Sequence, residues 1–235
     1  MRTLQFRLGA IPAVVWGAPS DTVYLAVHGN LSNKEDTVIR MLAERLNTKG
    51  IQLLSFDLPE HGERRQDTAY LCKVQNCVAD LGQVMAYARQ HWRRINLWAC
   101  SMGAYFSLLA YRDQPLDRAL FLSPVVDMQS IIENLMRWSG TTEEKLKTEQ
   151  EIPTEFGQTL YWDYYTYVKD HPVTVWNPQT QILYGRQDTM QTEEMIRTFS
   201  NRFSCGLTVL DDAEHFFHTE QQLAQYESWL NDVLT

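Results

Sequence analysis

Ile95-Asn96-Leu97-Trp98-Ala99-Cys100-Ser101-Met102-Gly103-Ala104 is an apolar run broken by one serine, and beyond it a helix-like run continues through Leu109. Ser101 therefore stands at the junction of a predicted strand and a predicted helix. A serine displayed on so sharp a turn holds a strained backbone conformation. The residues two before and two after it must then be small, or they would strike each other and the neighbouring strands. Ala99 and Gly103 satisfy this demand, although the usual pattern is G-x-S-x-G and Ala99 departs from it by one methyl group. The pentapeptide alone also fits an ordinary strand-to-helix turn with a capping serine, so the reading of Ser101 as a nucleophile depends on residues elsewhere in the chain.

Two later segments supply them. Gln181-Ile182-Leu183-Tyr184-Gly185-Arg186-Gln187-Asp188 is a short apolar strand that ends in a glycine turn and an acid. Leu207-Thr208-Val209-Leu210 is another strand, followed by Asp211-Asp212-Ala213-Glu214-His215. A serine hydroxyl is a weak nucleophile without a base in hydrogen-bond reach. His215 is the candidate base and Asp188 the candidate acid that fixes its tautomer. His218 is an alternative base, but its place after two phenylalanines at a helix start suits capping. Asp211 and Asp212 directly precede the histidine in the same loop and would be hard to aim at its ring. His28 and His61 read as loop residues bonding backbone near the site, and nothing around His91 or His171 suggests chemistry.

The chain order Ser101, Asp188, His215 is that of the α/β-hydrolase family. Upstream, Val23-Tyr24-Leu25-Ala26-Val27-His28-Gly29-Asn30 is a buried-strand run ending in a His-Gly pair, and Asp57-Leu58-Pro59-Glu60-His61-Gly62 is similar to a D-x-x-G-x-G loop, with Glu60 where a glycine is common. From Val23 onward the chain resembles that family. The resemblance implies a mostly parallel central sheet flanked by helices, with an inserted cap. It implies an oxyanion hole formed by the backbone N–H groups of Asn30 and Met102, and no cofactor or metal. The activity it implies is that of a serine hydrolase cleaving small to medium carboxylic esters through an acyl-enzyme. Similar proteins are the small bacterial carboxylesterases, including feruloyl and cinnamoyl esterases, and the monoacylglycerol lipases. Amide hydrolysis or acyl transfer on the same scaffold is the alternative, and a catalytically silent binding protein is a third reading.

Composition narrows the partners. The chain has 235 residues and a net charge of −8 with scattered basic residues. That suits one domain with a sizeable core and argues against nucleic acid, which needs a concentrated basic surface. A small-molecule ester is the expected partner. No apolar run has the length of a membrane span, and the apolar stretch from Ala10 to Val15 is interrupted by Pro12, so it reads as a strand and not a signal peptide. Four cysteines do not make a disulfide framework at this size, and reduced thiols in a cytoplasm are expected. Cys72 and Cys77 are expected on different faces of one helix.

Strands alternating with helices organise the chain. Strands are expected at Thr3 to Leu8 and Ala13 to Trp16, a helix opened by a Ser32…Glu35 capping box, a long helix from about Ala69 to Trp92, and a strand at Ala119 to Leu122. The alternation fails beyond Pro124. Residues 1–124 and 179–235 are therefore expected to form the core and residues 125–178 the cap. Within the cap, the aromatic run Tyr161 to Tyr167 is expected to be helical. Tyr161, Tyr164 and Tyr165 would share a face that forms a substrate pocket wall, with Trp162 pointing away.

Overall fold

A computed structural model describes residues 1–234. The chain opens with an antiparallel hairpin of β1 (Thr3–Leu8) and β2 (Ile11–Trp16), then runs through β3 (Thr22–Val27), α1 (Thr37–Thr48), β4 (Gln52–Phe56), α2 (Val74–His91), β5 (Arg94–Cys100) and α3 (Met102–Ala110). After β6 (Arg118–Leu122) come α4 (Met128–Trp138), α5 (Glu143–Glu149), a small hairpin of β7 (Glu151–Pro153) and β8 (Thr159–Tyr161), and α6 (Trp162–Asp170). The alternation resumes with β9 (Gln179–Gly185), α7 (Glu193–Phe203), β10 (Gly206–Leu210) and α8 (Glu220–Val233).

Eight of these strands form one sheet in the order β1-β2-β4-β3-β5-β6-β9-β10. β2 is antiparallel to both its neighbours, and every pairing from β4 to β10 is parallel. Its central strands are covered on both faces, so they are nearly continuous apolar runs. Alternate residues divide between two cores. Leu25, Leu97 and Phe121 pack with Leu81, Val84 and Phe106 of α2 and α3, while Tyr24, Trp98 and Leu120 pack with Leu42 and Leu46 of α1 and with Tyr226 and Trp229 of α8. The chain moves from β3 outward to β4 and returns to pair β5 against β3. The carboxyl ends of β3 and β5 thus flank a reversal of strand order, the place where open α/β sheets bind ligands.

Two buried polar groups tie the loops at that end. Asp57, fully buried after β4, accepts from Lys34 N and Lys34 Nζ, each at 2.9 Å, and from Glu63 N at 3.1 Å. A side chain on Gly62 would place its Cβ 2.2 Å from the Asp57 carboxylate, so glycine is required there. His28, at the end of β3, accepts from Leu58 N at 3.0 Å through Nε2 and donates from Nδ1 to its neighbour's carbonyl, Gly29 O, at 2.7 Å. That arrangement needs the neutral ring, and burial pulls its pKa down to about 4.

Asp57 also explains where the expected start of the first helix fails. No capping box forms at Ser32 and Glu35; α1 begins at Thr37 after Asp36. The Lys34 backbone is committed to Asp57, and the Asn33 side chain accepts from Glu35 N at 2.8 Å, which folds these residues into a loop. A capping box does form at Thr219 and Gln222, opening α8. The long helix likewise begins at Val74 and not near Ala69, because Leu71 and Cys72 stay outside it and Cys72 N donates to Glu60 Oε2 at 2.6 Å.

These contacts make two expectations. Asp57→Ala leaves the Lys34 ammonium buried with only the half-exposed Glu63 to face, so the loss in urea unfolding should be about 3 kcal/mol, the low end for breaking a buried pair. A loss under about 1 kcal/mol, typical of a surface pair, would show that the network holds nothing. For His28, the unfolded ring titrates near 6.5 and the folded ring near 4, so between those values the unfolded chain binds more protons. This contribution is whole above about pH 6.5 and is lost as pH falls toward 4, with an upper size on the order of 3 kcal/mol. Thermal melts from neutral pH downward should therefore fall more steeply for the natural chain than for His28→Gln, and parallel slopes would refute the assignment.

Candidate active site

Ser101 closes β5 with φ 51° and ψ −126°, a left-handed conformation in a non-glycine residue. Close packing enforces it. Ala99 is fully buried between Val27 of β3 and Phe121 of β6. A Cβ on Gly103 would fall 2.3 Å from His28 O, and one on Gly29 would fall 2.9 Å from Ser101 Cβ. The turn is anchored by Ser101 N donating to Leu122 O at 3.1 Å and Val125 N donating to Ser101 O at 3.0 Å. Ser101 Oγ consequently projects beyond the sheet, 2.8 Å from His215 Nε2.

The opposite ring nitrogen of His215 lies 2.6 Å from Asp188 Oδ2. With Nδ1–H donating to the carboxylate, Nε2 is left to accept the Ser101 proton. Asp188 follows β9, and its second oxygen accepts from Met190 N at 2.7 Å and Gln191 N at 3.1 Å. Gly185 lets the two loops approach, since a Cβ there would sit 2.3 Å from Ala213 O, and Gln187 N donates to that same carbonyl at 2.9 Å. Asp211 instead pairs with Arg186 on the surface, and Asp212 is exposed. His218 is exposed, its ring turned to Phe216 O. His91 and His171 stack on Tyr87 and Tyr167.

Asn30, Ser101 and Met102 line one cavity of about 610 Å³. Met102 N is the first amide of α3, a position with no acceptor inside the helix and at its positive end. Asn30 Oδ1 lies 3.2 Å from His61 Nε2, and the other nitrogen of His61 is 2.7 Å from Pro59 O. Glu60 has φ 60°, which explains why glycine is common at that point of the pattern; here its side chain accepts from Cys72 N. Cys100, next to Ser101, is pushed up to about 12 by burial and stays a thiol. Among the described residues no group of three His, Cys, Asp or Glu side chains converges to hold a metal ion.

The far wall of the cavity is apolar and comes from the segment between β6 and β9. Met128, Ile131, Ile132 and Leu135 of α4 face it, with Trp138, Phe156 and Leu160, and with Tyr161 and Tyr164. Tyr165 does not line it, contrary to the expectation from helical spacing. Tyr161 is the last residue of β8 and α6 begins only at Trp162, so Tyr161 is not on the helix whose face was reckoned from it. Tyr165 turns into the packing against α4 and α5, its hydroxyl 3.4 Å from Glu133 and 3.3 Å from Glu143, with Lys169 Nζ 4.9 Å from its ring centroid.

Two functional features escaped the sequence reading. The i, i+3, i+4, i+7 set of Met128, Ile131, Ile132 and Leu135 carries a visible helical stripe, and only the fold shows that it faces a cavity as well as a core. Gln191 has no sequence signal. Fully buried, it accepts from Val126 N and Asp127 N, each at 2.9 Å, and donates to Asp127 O at 3.1 Å, which ties the Asp188 loop to the segment after β6.

Solved structures share this architecture. Est1E from Butyrivibrio proteoclasticus, solved with ferulic acid, superposes with a TM-score of 0.76 at 18% identity, over 99% of this chain and 100% of that one. Mouse alpha/beta hydrolase domain-containing protein 10 gives 0.77 at 12% identity, over 100% and 98%. The Pyrococcus furiosus esterase PF2001 gives 0.70 at 17%, over 95% and 85%. No curated protein sequence matches the chain. The family described as serine aminopeptidase, S33, matches residues 18–195, a span that holds the elbow, the His28-Gly29 loop and Asp188. The chain belongs to this family of hydrolases and has the α/β-hydrolase fold.

Proposed function

We propose that the protein is a serine hydrolase that cleaves small to medium carboxylic esters through an acyl-enzyme. The observation that carries the reading is the chain Ser101 Oγ, His215 and Asp188, at 2.8 and 2.6 Å, opening into a largely apolar cavity. In this reading His215 Nε2 takes the hydroxyl proton as Ser101 Oγ bonds to the carbonyl carbon. The N–H groups of Met102 and Asn30 receive the developing oxyanion. The alcohol leaves with the proton held by His215, and water then repeats the sequence to release the acid. Residues 125–178 act as the cap, and no cofactor takes part.

The cavity is of the size that encloses a small organic ligand. Its apolar α4 wall suits an aryl or medium acyl group, and Tyr161 and Tyr164 add aromatic surface to the same lining. The structural neighbours named above include a protein solved with ferulic acid and an esterase, which agrees with an ester substrate. Amide hydrolysis shares the same machinery and is distinguished by assay.

A fluorophosphonate probe should label one serine in the natural chain and none in Ser101→Ala, which should also lose p-nitrophenyl ester hydrolysis while keeping its melting temperature. Asp188→Asn should lower kcat on the order of 10⁴-fold, as expected when the acid sets the histidine tautomer, with Asp212→Asn close to the natural rate. Labelling that persists in Ser101→Ala, or a larger loss in Asp212→Asn, overturns the assignment. A matched ester and anilide pair then separates esterase from amidase.

Specificity is tested at the wall. Aryl and short-to-medium acyl esters should exceed long-chain esters in kcat/KM, and Tyr161→Ala or Tyr164→Ala should reduce that preference by roughly 1–3 kcal/mol. Tyr165→Phe, off the cavity, should leave the ratio unchanged. An unchanged ratio in all three variants would retire both tyrosines as specificity determinants.

A further inference from the structure

Cys72 and Cys77 do not lie on two faces of one helix. Lys73 caps α2, so Cys72 is the residue before the cap and Cys77 is in the first turn, the two positions whose side chains meet across a helix start. Their sulfurs are 3.6 Å apart. Cys77 is fully buried, whereas Cys72 is partly exposed and lines the cavity that holds Ser101. His61 and Glu60 line the same patch, and Glu60 accepts from Cys72 N. No step of ester hydrolysis uses either thiol.

We propose that Cys72 and Cys77 are a peroxide-sensitive dithiol in the wall of the cavity, with Cys72 the reacting thiol and Cys77 the resolving one. The Cys72 thiolate attacks one oxygen of a hydroperoxide; the S–O bond forms, the O–O bond breaks, and the departing oxygen takes a proton and leaves as an alcohol or water. Cys77 then attacks the sulfenic sulfur, the S–S bond forms, the S–O bond breaks, and the departing hydroxide takes the Cys77 proton and leaves as water. Two thiols and one hydroperoxide thus give one disulfide, one alcohol or water, and one further water.

The surroundings favour that order of events. A hydrogen bond from Cys77, then the neighbouring His61, lowers the Cys72 thiol below its ordinary value against burial and Glu60, which favours the thiolate at this position. Burial and the hydrogen bond to Cys72 push Cys77 up, which keeps it a thiol until Cys72 has reacted. From 3.6 Å, rotation of two side chains must bring the sulfurs to about 2.05 Å. Movement of Cys72 is felt at the catalytic end because His61, beside it, holds Asn30 Oδ1. The effect on hydrolysis rests on the reading of Ser101 as nucleophile, whereas formation of the disulfide does not.

The test is a non-reducing tryptic digest of the full chain after hydrogen peroxide. Cleavage after Arg65, Lys73 and Arg89 places Cys72 and Cys77 on separate peptides, 66–73 and 74–89, so a disulfide joins them. The expected result is that joined pair, released by dithiothreitol, with iodoacetamide reaching Cys72 before Cys77, Cys100 or Cys205 in the reduced protein. In Cys77→Ser the oxidised Cys72 should instead be trapped by dimedone as the sulfenic acid. Ester turnover should fall reversibly on oxidation of the natural chain, and in reduced Cys77→Ser it should stay within about twofold of it, inside the range of a modest packing change. Peptides that stay separate while Cys72 remains an unoxidised thiol overturn the proposal, as does linkage through Cys100 or Cys205. A joined pair with unaltered turnover overturns the coupling to the site. Loss of fluorophosphonate labelling in the reduced protein would be a failure of the nucleophile reading alone.

Discussion

The left-handed backbone of Ser101 is the constraint around which the molecule is arranged. A non-glycine residue at φ 51° persists only where its surroundings overdetermine it. Here they do so from three sides: Gly103 lets α3 pass 2.3 Å (to a hypothetical Cβ) from the end of β3, Gly29 lets the next loop lie against Ser101 Cβ, and Val125 N holds the Ser101 carbonyl. A Cβ at Gly103 would displace backbone, and one at Gly29 would press on the Ser101 Cβ, neither of them the end of a flexible side chain. The Ser101 hydroxyl therefore owes its position to the close approach of β3 and β5, and hence to the strand order that makes them neighbours.

That strand order also decides which loops can reach the serine. The loops after β3 and β4 are locked together by buried Asp57 and neutral His28, so buried polar contacts hold the segment carrying Asn30. From the other side, the loops after β9 and β10 are brought together at Gly185 and joined by Gln187 N to Ala213 O. Asp188 is then satisfied on both oxygens before any substrate arrives, which leaves His215 one orientation that bonds it and Ser101 together. Preorganisation of this kind supports the proposed role of the three residues, since proton transfer between them would need little rearrangement.

How much of this was legible in the sequence follows from which forces are local. Parallel buried strands announce themselves as apolar runs, and the elbow, the acid after β9 and the histidine after β10 stand at strand ends where chain order alone suffices to name them. Failures occurred where a distant partner overrode a local rule. Ser32 and Glu35 have the spacing of a capping box, but Asp57, remote in sequence, claims the Lys34 backbone. The start of α2 is set by Glu60, which takes Cys72 N and leaves that residue outside the helix, reversing the expected relation of the two cysteines. Tyr165 was misplaced because a helical face was counted from Tyr161, which belongs to a strand. Gln191 could not be found at all, since a buried amide joining two loops has no spacing signature.

The segment between β6 and β9 is bound to the core by contacts of a different kind. Asp163 of α6 receives Lys73 Nζ and Gln75 Nε2 at the start of α2, and Gln191 grips Val126 and Asp127 at the root of α4. The first set is solvent-exposed and individually weak; the second is buried and strong. The root of the segment is thus fixed to the acid loop while its outer edge rests on an exposed ion pair and an amide hydrogen bond. The helix start that carries Lys73 and Gln75 also carries Cys72, so the weakly held edge of the cavity and the thiol pair are one place in the structure. A change in the backbone there would be transmitted to the cavity wall and, through His61, to Asn30, whereas the Asp188 and His215 geometry, anchored on the far side of the sheet reversal, would be left in place.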